Sequence, residues 1–140
     1  MDERFSFELV TPDRLMLSTY VNMVVVPGGE GDFGVLSGHA PLISTVRPGT
    51  VHIYKDNRIS GRFFVAGGVA EVSGERCTVL AEEAVPINEI VRENVLGRID
   101  KARTKLEAAK DADDRKVRGH ALDAAEAMLA ALDELEKDRI

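Results

Sequence analysis

Ala84-Val85-Pro86-Ile87-Asn88-Glu89-Ile90-Val91 divides this chain into two chemistries. Pro86 is the last proline, and all seven aromatic residues, from Phe5 to Phe64, precede it. Beyond Gly74 only Gly97 and Gly119 remain of the 12 glycines. From Ile87 onward the chain is rich in Ala, Leu, Glu, Asp, Lys and Arg. Glycine, proline and aromatic side chains serve strands and tight turns, whereas alanine and straight side chains serve helices. The order predicts a β module (residues 1–86) followed by a helical module (residues 87–140). Strands and helices that do not alternate argue against an α/β enzyme.

Upstream of the divide, Phe5, Phe7 and Leu9 alternate with Ser6 and Glu8, which predicts a half-buried strand ending at Thr11-Pro12-Asp13. Leu15 to Val26 reads as a second strand stretch with Val21, Met23 and Val25 on one face, stopped by Pro27-Gly28-Gly29. Lys55-Asp56-Asn57-Arg58 reads as a hairpin turn, and Gly67-Gly68 and Ser73-Gly74 punctuate further short strands. The expected fold is an antiparallel β-sandwich. Downstream, Val91, Val95, Ile99, Ala102, Leu106 and Ala109 form one helical stripe, and Ala121, Ala125, Met128, Leu132 and Leu135 a second. Asp111-Ala112-Asp113-Asp114 separates them, with aspartate suited to cap the second helix. The helical module is therefore expected to be an antiparallel αα-hairpin.

The net charge is −6 over 140 residues. Residues 1–86 carry 7 basic and 11 acidic side chains, and residues 87–140 carry 11 and 13. Neither half has the basic excess that nucleic-acid binding requires, so no nucleic-acid partner is expected. The start, Met1-Asp2-Glu3-Arg4, is acidic and gives no sign of a signal peptide. The longest apolar run, Met23 to Pro27, is far too short to span a bilayer, so direct membrane insertion is not expected. The single cysteine, Cys77, lies in an apolar strand pattern and is read as a buried structural thiol.

Catalytic chemistry is not expected. Gly29-Glu30-Gly31-Asp32-Phe33-Gly34 matches a dinucleotide-loop string, but Val35-Leu36-Ser37-Gly38 does not begin a helix, and Glu30 and Asp32 would repel phosphate. His39, His52 and His120 have no ligand-like spacing with one another or with Cys77, so no metal site is expected. Ser37 near His39 lacks an orienting partner and oxyanion donors. Asp100 and Arg103, at i and i+3, read by themselves as an exposed helical ion pair.

The stretch Gly31-Asp32-Phe33-Gly34-Val35-Leu36-Ser37-Gly38-His39-Ala40-Pro41-Leu42-Ile43-Ser44, followed by Arg47-Pro48-Gly49, resembles the signature of the epsilon subunit of bacterial F-type ATP synthases. Gly67-Gly68-Val69, Glu71-Val72 and Val79-Leu80-Ala81 are similar to that family too, and the resemblance spans the whole chain. It implies a non-catalytic rotor subunit at the cytoplasmic face of the bacterial inner membrane. Its sandwich would bind the gamma subunit of the central stalk and the polar loops of the c-ring. Gly31, Asp32 and Gly38, within a ring-facing glycine loop of residues 28–38, would lie at those interfaces, with His39 close by. The hairpin would regulate ATP hydrolysis through the catalytic alpha and beta subunits.

Some family members bind ATP on the folded hairpin through an Ile-Asp-x-x-Arg-Ala motif. Ile99-Asp100-Lys101-Ala102-Arg103 matches it, with Thr104 in place of the alanine. Asp100 and Arg103 are thus the nucleotide-binding candidates. Lys110 stands where a further arginine recurs, and Ala127 and Ala131 where two more approach the phosphates. The expectation is weak ATP binding at most and no resident cofactor. The alternative within the family is an ATP sensor held shut by nucleotide. Without the resemblance, the residues describe a free-standing β-sandwich adaptor.

Overall fold

The computed structural model describes residues 3–138. It comprises two compact units that divide between Pro86 and Ile87. The first holds ten strands: β1 Phe5–Thr11, β2 Arg14–Val21, β3 Met23–Gly28, β4 Gly31–Leu36, β5 Leu42–Val46, β6 Gly49–Lys55, β7 Arg58–Val65, β8 Gly68–Val72, β9 Arg76–Ala81 and β10 Ala84–Pro86. They form one continuous ladder, ordered β10-β7-β6-β3-β5-β8-β9-β1-β2, with β4 paired to β3. The ladder folds over between β3 and β5, where a single register pair, Gly28 with Val46, joins two layers. The pairings are antiparallel as expected, except that β1 runs parallel to β9.

Alternation fills the space between the layers. Phe5, Phe7 and Leu9 of β1, Ala70 and Val72 of β8, and Cys77 and Val79 of β9 point inward, as do Val51 and Ile53 of β6. Each of the larger side chains contributes about 1.5–3 kcal/mol on burial. The stretch expected as one strand from Leu15 to Val26 breaks at Asn22 into β2 and β3. The Asn22 side-chain oxygen accepts a hydrogen bond from the Asp56 backbone amide at 2.8 Å, and the Asn22 backbone amide donates to the Tyr54 carbonyl at 2.9 Å. The break shifts the inward phase by one residue. Val21, Val24 and Val26 are buried, while Met23 and Val25 are only half-buried. The β6–β7 turn is the expected one: Asp56 and Asn57 both take positive φ, as a two-residue hairpin loop requires. Gly68 cannot be replaced cheaply. It has φ +149°, and a Cβ there would meet the Leu80 carbonyl oxygen of the paired strand at 2.0 Å.

The second unit contains a short 3₁₀ turn, Ile87–Glu89, then α1 Arg92–Glu107 and α2 Ala112–Asp138. Arg92 at the start of α1 binds Asp133 and Glu136 near the end of α2 at 2.9 and 2.8 Å, so the helices are antiparallel. Val95, Ile99 and Ala102 are buried on α1, and Ala124, Ala125, Met128, Ala131 and Leu132 on α2. The second stripe is thus wider than the sequence period suggested, and Ala121 lies outside it, exposed. Asp111 caps α2: its carboxylate accepts the Asp114 amide at 2.7 Å, and Asp114 in return accepts the Lys110 amide at 3.1 Å.

Two substitutions should move the hairpin in opposite directions. Asp111→Ala removes the cap and should destabilise the second unit by about 1 kcal/mol. Gly119→Ala, where a Cβ meets nothing within 4 Å, should stabilise it by about 0.5–1 kcal/mol. Helix-specific amide exchange on the full chain measures both.

Candidate functional site

Residues 28–38 are a β-hairpin and not a loop. β3 and β4 pair from Met23 with Leu36 to Gly28 with Gly31, leaving only Gly29 and Glu30 as the turn. Gly31 has φ +142° with open space where a Cβ would stand. A side chain at this position would strain the backbone yet project freely into solvent. Asp32 is exposed and pairs with Arg47. Arg47 also donates to the Gly28 carbonyl, so one guanidinium binds both sides of the hairpin tip. The Arg47 amide donates to the Pro27 carbonyl, and the Gly29 amide to the Thr45 carbonyl, both at 2.9 Å. The tip is therefore fixed by a side chain that charge counting alone would have classed as a surface arginine.

Gly38 and His39 lie beyond the other end of β4. Six residues of strand at about 3.3 Å each separate them from Gly31 and Asp32 by roughly 20 Å. The four interface candidates thus fall at two separate places, at opposite ends of β4. Gly38 has φ +83°, and its amide donates to the Gly74 carbonyl at 2.8 Å. The His39 ring places Nδ1 at 2.7 Å from the Ala40 carbonyl oxygen, a local contact of an exposed turn. Ser37 and His39 make no hydrogen bond to one another.

On the outer face of the β5–β8–β9–β1 layer, Thr45, Val69, Leu80 and Val10 stand in register, and Ile43 lies two residues along β5. Ile43 is 75% exposed, Leu80 43% and Val69 37%. The same alternation that marks the inward residues marks these as outward. Sequence reasoning passed over them because it asked only which residues build the core.

Asp100 and Arg103 are both exposed on α1. Arg103 lies 4.0 Å from Glu126 of α2. The Thr104 hydroxyl donates to the Asp100 carbonyl at 3.0 Å, a contact within the helix. Among the described residues no second cation shares Glu126 with Arg103, and Ala131 is buried. Cys77 is buried, and desolvation pushes its thiol up to about 12, so it remains protonated and unreactive at neutral pH. Among the described residues no group of three or more His, Cys, Asp or Glu is placed to hold a metal ion. No described helix is long and apolar enough to cross a membrane.

A closed sandwich with an exposed apolar row and a braced hairpin tip, joined in sequence to a helical hairpin, defines a protein that works by contact with other chains. The family described as "ATP synthase, Delta/Epsilon chain, beta-sandwich domain" matches residues 4–87. The ATP synthase epsilon chain of Paramagnetospirillum magneticum is 50% identical over 132 residues, covering 94% of this chain and 99% of that one. That of Rhodospirillum rubrum is 47% identical over 131 residues, covering 94% and 98%. Among solved structures, a chain of the Euglena gracilis mitochondrial ATP synthase has a TM-score of 0.78 at 26% identity, covering 94% of this chain and 83% of that one. A chain of the Tetrahymena thermophila enzyme has the same fold, with a TM-score of 0.53 at 17% identity over 63% of this chain and 70% of that one. The chain belongs to the ATP synthase epsilon chain family. It is a non-catalytic subunit of that complex.

Arg47→Ala should loosen the hairpin tip while leaving the core intact. The expected loss is about 0.5–1 kcal/mol, with faster amide exchange confined to Gly29, Gly31 and Asp32. Unchanged exchange at those amides would show that backbone pairing alone holds the tip.

Proposed function

We propose that this chain is a rotor subunit that transmits torque between the c-ring and the central stalk, and that its sandwich supplies the contacts. The observation that carries this reading is the exposed row of Ile43, Val69 and Leu80 on the outer face of the β5–β8–β9–β1 layer. Monomeric surfaces seldom leave apolar side chains contiguous unless a partner covers them. Membership of the epsilon family supports the gamma subunit as that partner. The β3–β4 tip supplies the second contact, toward the c-ring. Glu30 and Asp32 against Arg47 leave the tip net negative, which complements basic ring loops, and Arg47 holds it rigid. A soluble rotor subunit of this kind acts at the cytoplasmic face of the bacterial inner membrane.

Ile43→Glu combined with Leu80→Glu tests the stalk contact. Both side chains are exposed, so thermal unfolding of the isolated chain should be unchanged. Copurification with the gamma subunit should fall tenfold or more. Full retention would move the stalk contact elsewhere.

The hairpin is the regulatory element in this reading, and a weak one. From Gly119 to Glu136 α2 has no lysine or arginine, and carries Asp123, Glu126, Asp133, Glu134 and Glu136. Extending this face toward an acidic partner on the catalytic subunits meets like-charge repulsion. In the folded hairpin, by contrast, three of these acids lie beside Arg92 or Arg103. Nucleotide binding at Asp100 and Arg103 is millimolar or absent, at best about −4 kcal/mol. Removing residues 88–140 should therefore raise ATP hydrolysis by the assembled complex less than tenfold. A larger activation, measured against the full-length subunit at the same ionic strength, would show that the charge argument misjudges α2.

A further inference from the structure

The strand ladder ends in β10 and β2. β10 is three residues long and closes on Pro86, which has no amide to offer a further strand. β2 is eight residues long and pairs only with β1. Its register skips Met16, a bulge that leaves Leu17 to Val21 as a regular run. From Leu15 to Val21 it carries no charge and no proline. Leu15 and Tyr20 stand on it more than half exposed. A cation lies along the free flank of this strand. Lys55, the last residue of β6, reaches across and donates to the Thr19 hydroxyl at 2.9 Å. Thr19 is paired with the fully buried Phe7, so the ammonium stands on the inward side of the β2 edge. Lys55 is half-buried and has no carboxylate partner among the described residues. Asp56, the next residue, turns instead to Arg4 at 3.6 Å.

We propose that the free edge of β2 takes up an extended, acidic segment of a partner protein as an added strand. An unpaired edge presents backbone N–H and C=O groups at the spacing another strand requires, and strand addition satisfies them. Edges that must stay unpaired are commonly guarded by charges on the strand itself. Here the strand is neutral and the charge stands at its flank. A strand laid against β2 runs about 4.8 Å away. Its side chain opposite Thr19 then faces the Lys55 ammonium. A carboxylate there accepts the donors that Lys55 leaves unused, and opposite charges on neighbouring strands attract. Apolar side chains at alternate positions continue the outward surface of Leu15 and Tyr20. A second copy of this chain is the poorer occupant. Its β2 is neutral, and antiparallel pairing of two such edges brings two Lys55 ammonium groups to one seam. The backbone of β2 takes no part in the row of Ile43, Val69 and Leu80 or in the β3–β4 tip, so the inference stands apart from the rotor reading.

The test is a titration of the ¹⁵N-labelled full-length chain with the end-blocked peptide Val-Thr-Val-Glu-Val-Thr-Val, and with versions carrying Gln or Lys at the centre. The Glu peptide should give saturable shifts confined to β1, β2 and Lys55, with roughly millimolar or tighter affinity. It should also slow amide exchange at alternate residues of β2. The Gln peptide should bind about twofold or more weakly, and the Lys peptide more weakly still. Lys55→Gln should bind the Glu and Gln peptides alike, and Lys55→Glu should prefer the Lys peptide. A Glu peptide N-methylated at alternate residues cannot donate to the edge and should not bind. Ile43→Glu with Leu80→Glu should leave the titration unchanged. Absence of saturable shifts, indifference to the central residue, binding by the N-methylated peptide, loss of binding in the Ile43 and Leu80 variant, or tighter binding to Lys55→Gln would each overturn the proposal. So would β2 shifts that grow with protein concentration in the absence of peptide, which would assign the edge to a second copy.

Discussion

One backbone junction holds the sandwich in its shape. The two layers meet in register only at Gly28 and Val46. On either side of that pair, Gly29 donates to Thr45 and Arg47 donates to Pro27. Everything that follows depends on this corner closing. It sets the inner faces of β3, β6 and β7 against those of β5, β8 and β9, so that two alternating patterns share one core. It also fixes where the β3–β4 tip emerges, because Arg47, the residue just past β5, reaches the tip itself. Fold and proposed interaction site thus share one set of atoms. A residue that tightens the corner also stiffens the surface offered to a partner.

That economy explains what the sequence displayed and what it hid. The divide at Pro86 and Ile87, the alternation of Phe5, Phe7 and Leu9, the Asp56-Asn57 turn and the two helical stripes are local signals, written within a few residues of one another. They were sufficient for a β-sandwich followed by an αα-hairpin. The parallel pairing of β1 with β9 left no local trace, since it joins segments about seventy residues apart. Nor did the phase shift at Asn22, which depends on a hydrogen bond from Asp56 in a distant turn. The glycines of residues 28–38 suggested a loop because glycine is rare in strands. In β4 they instead occupy a short outer strand that pairs only with β3.

The candidate residues fared unevenly for the same reason. Asp32 was singled out for its charge, yet the residue that gives the charge a fixed position is Arg47, fifteen residues later. His39 follows Asp32 closely in sequence, but an intervening strand carries it to the far end. Asp100 and Arg103 stand one helical turn apart as their spacing requires. Sequence spacing alone does not say which cations α2 will bring beside α1, and the fold brings Arg118 to the flank of Lys101 and Lys105.

The ion pairs of the helical hairpin have a consequence for how the molecule responds to its medium. Arg92 holds two carboxylates near the far end of α2, and both carboxylates are more than half exposed while Arg92 is partly so. Such contacts fade as dissolved ions shield them over distances of about 8–10 Å. The sandwich is held by apolar burial, which ordinary salt leaves nearly untouched. Ionic strength therefore bears on the hairpin's ion pairs, and on the Arg47–Asp32 pair at the sandwich tip, more than on the sandwich core. Within a single chain, the sandwich core keeps its shape while the helical half responds to the salt content of its medium.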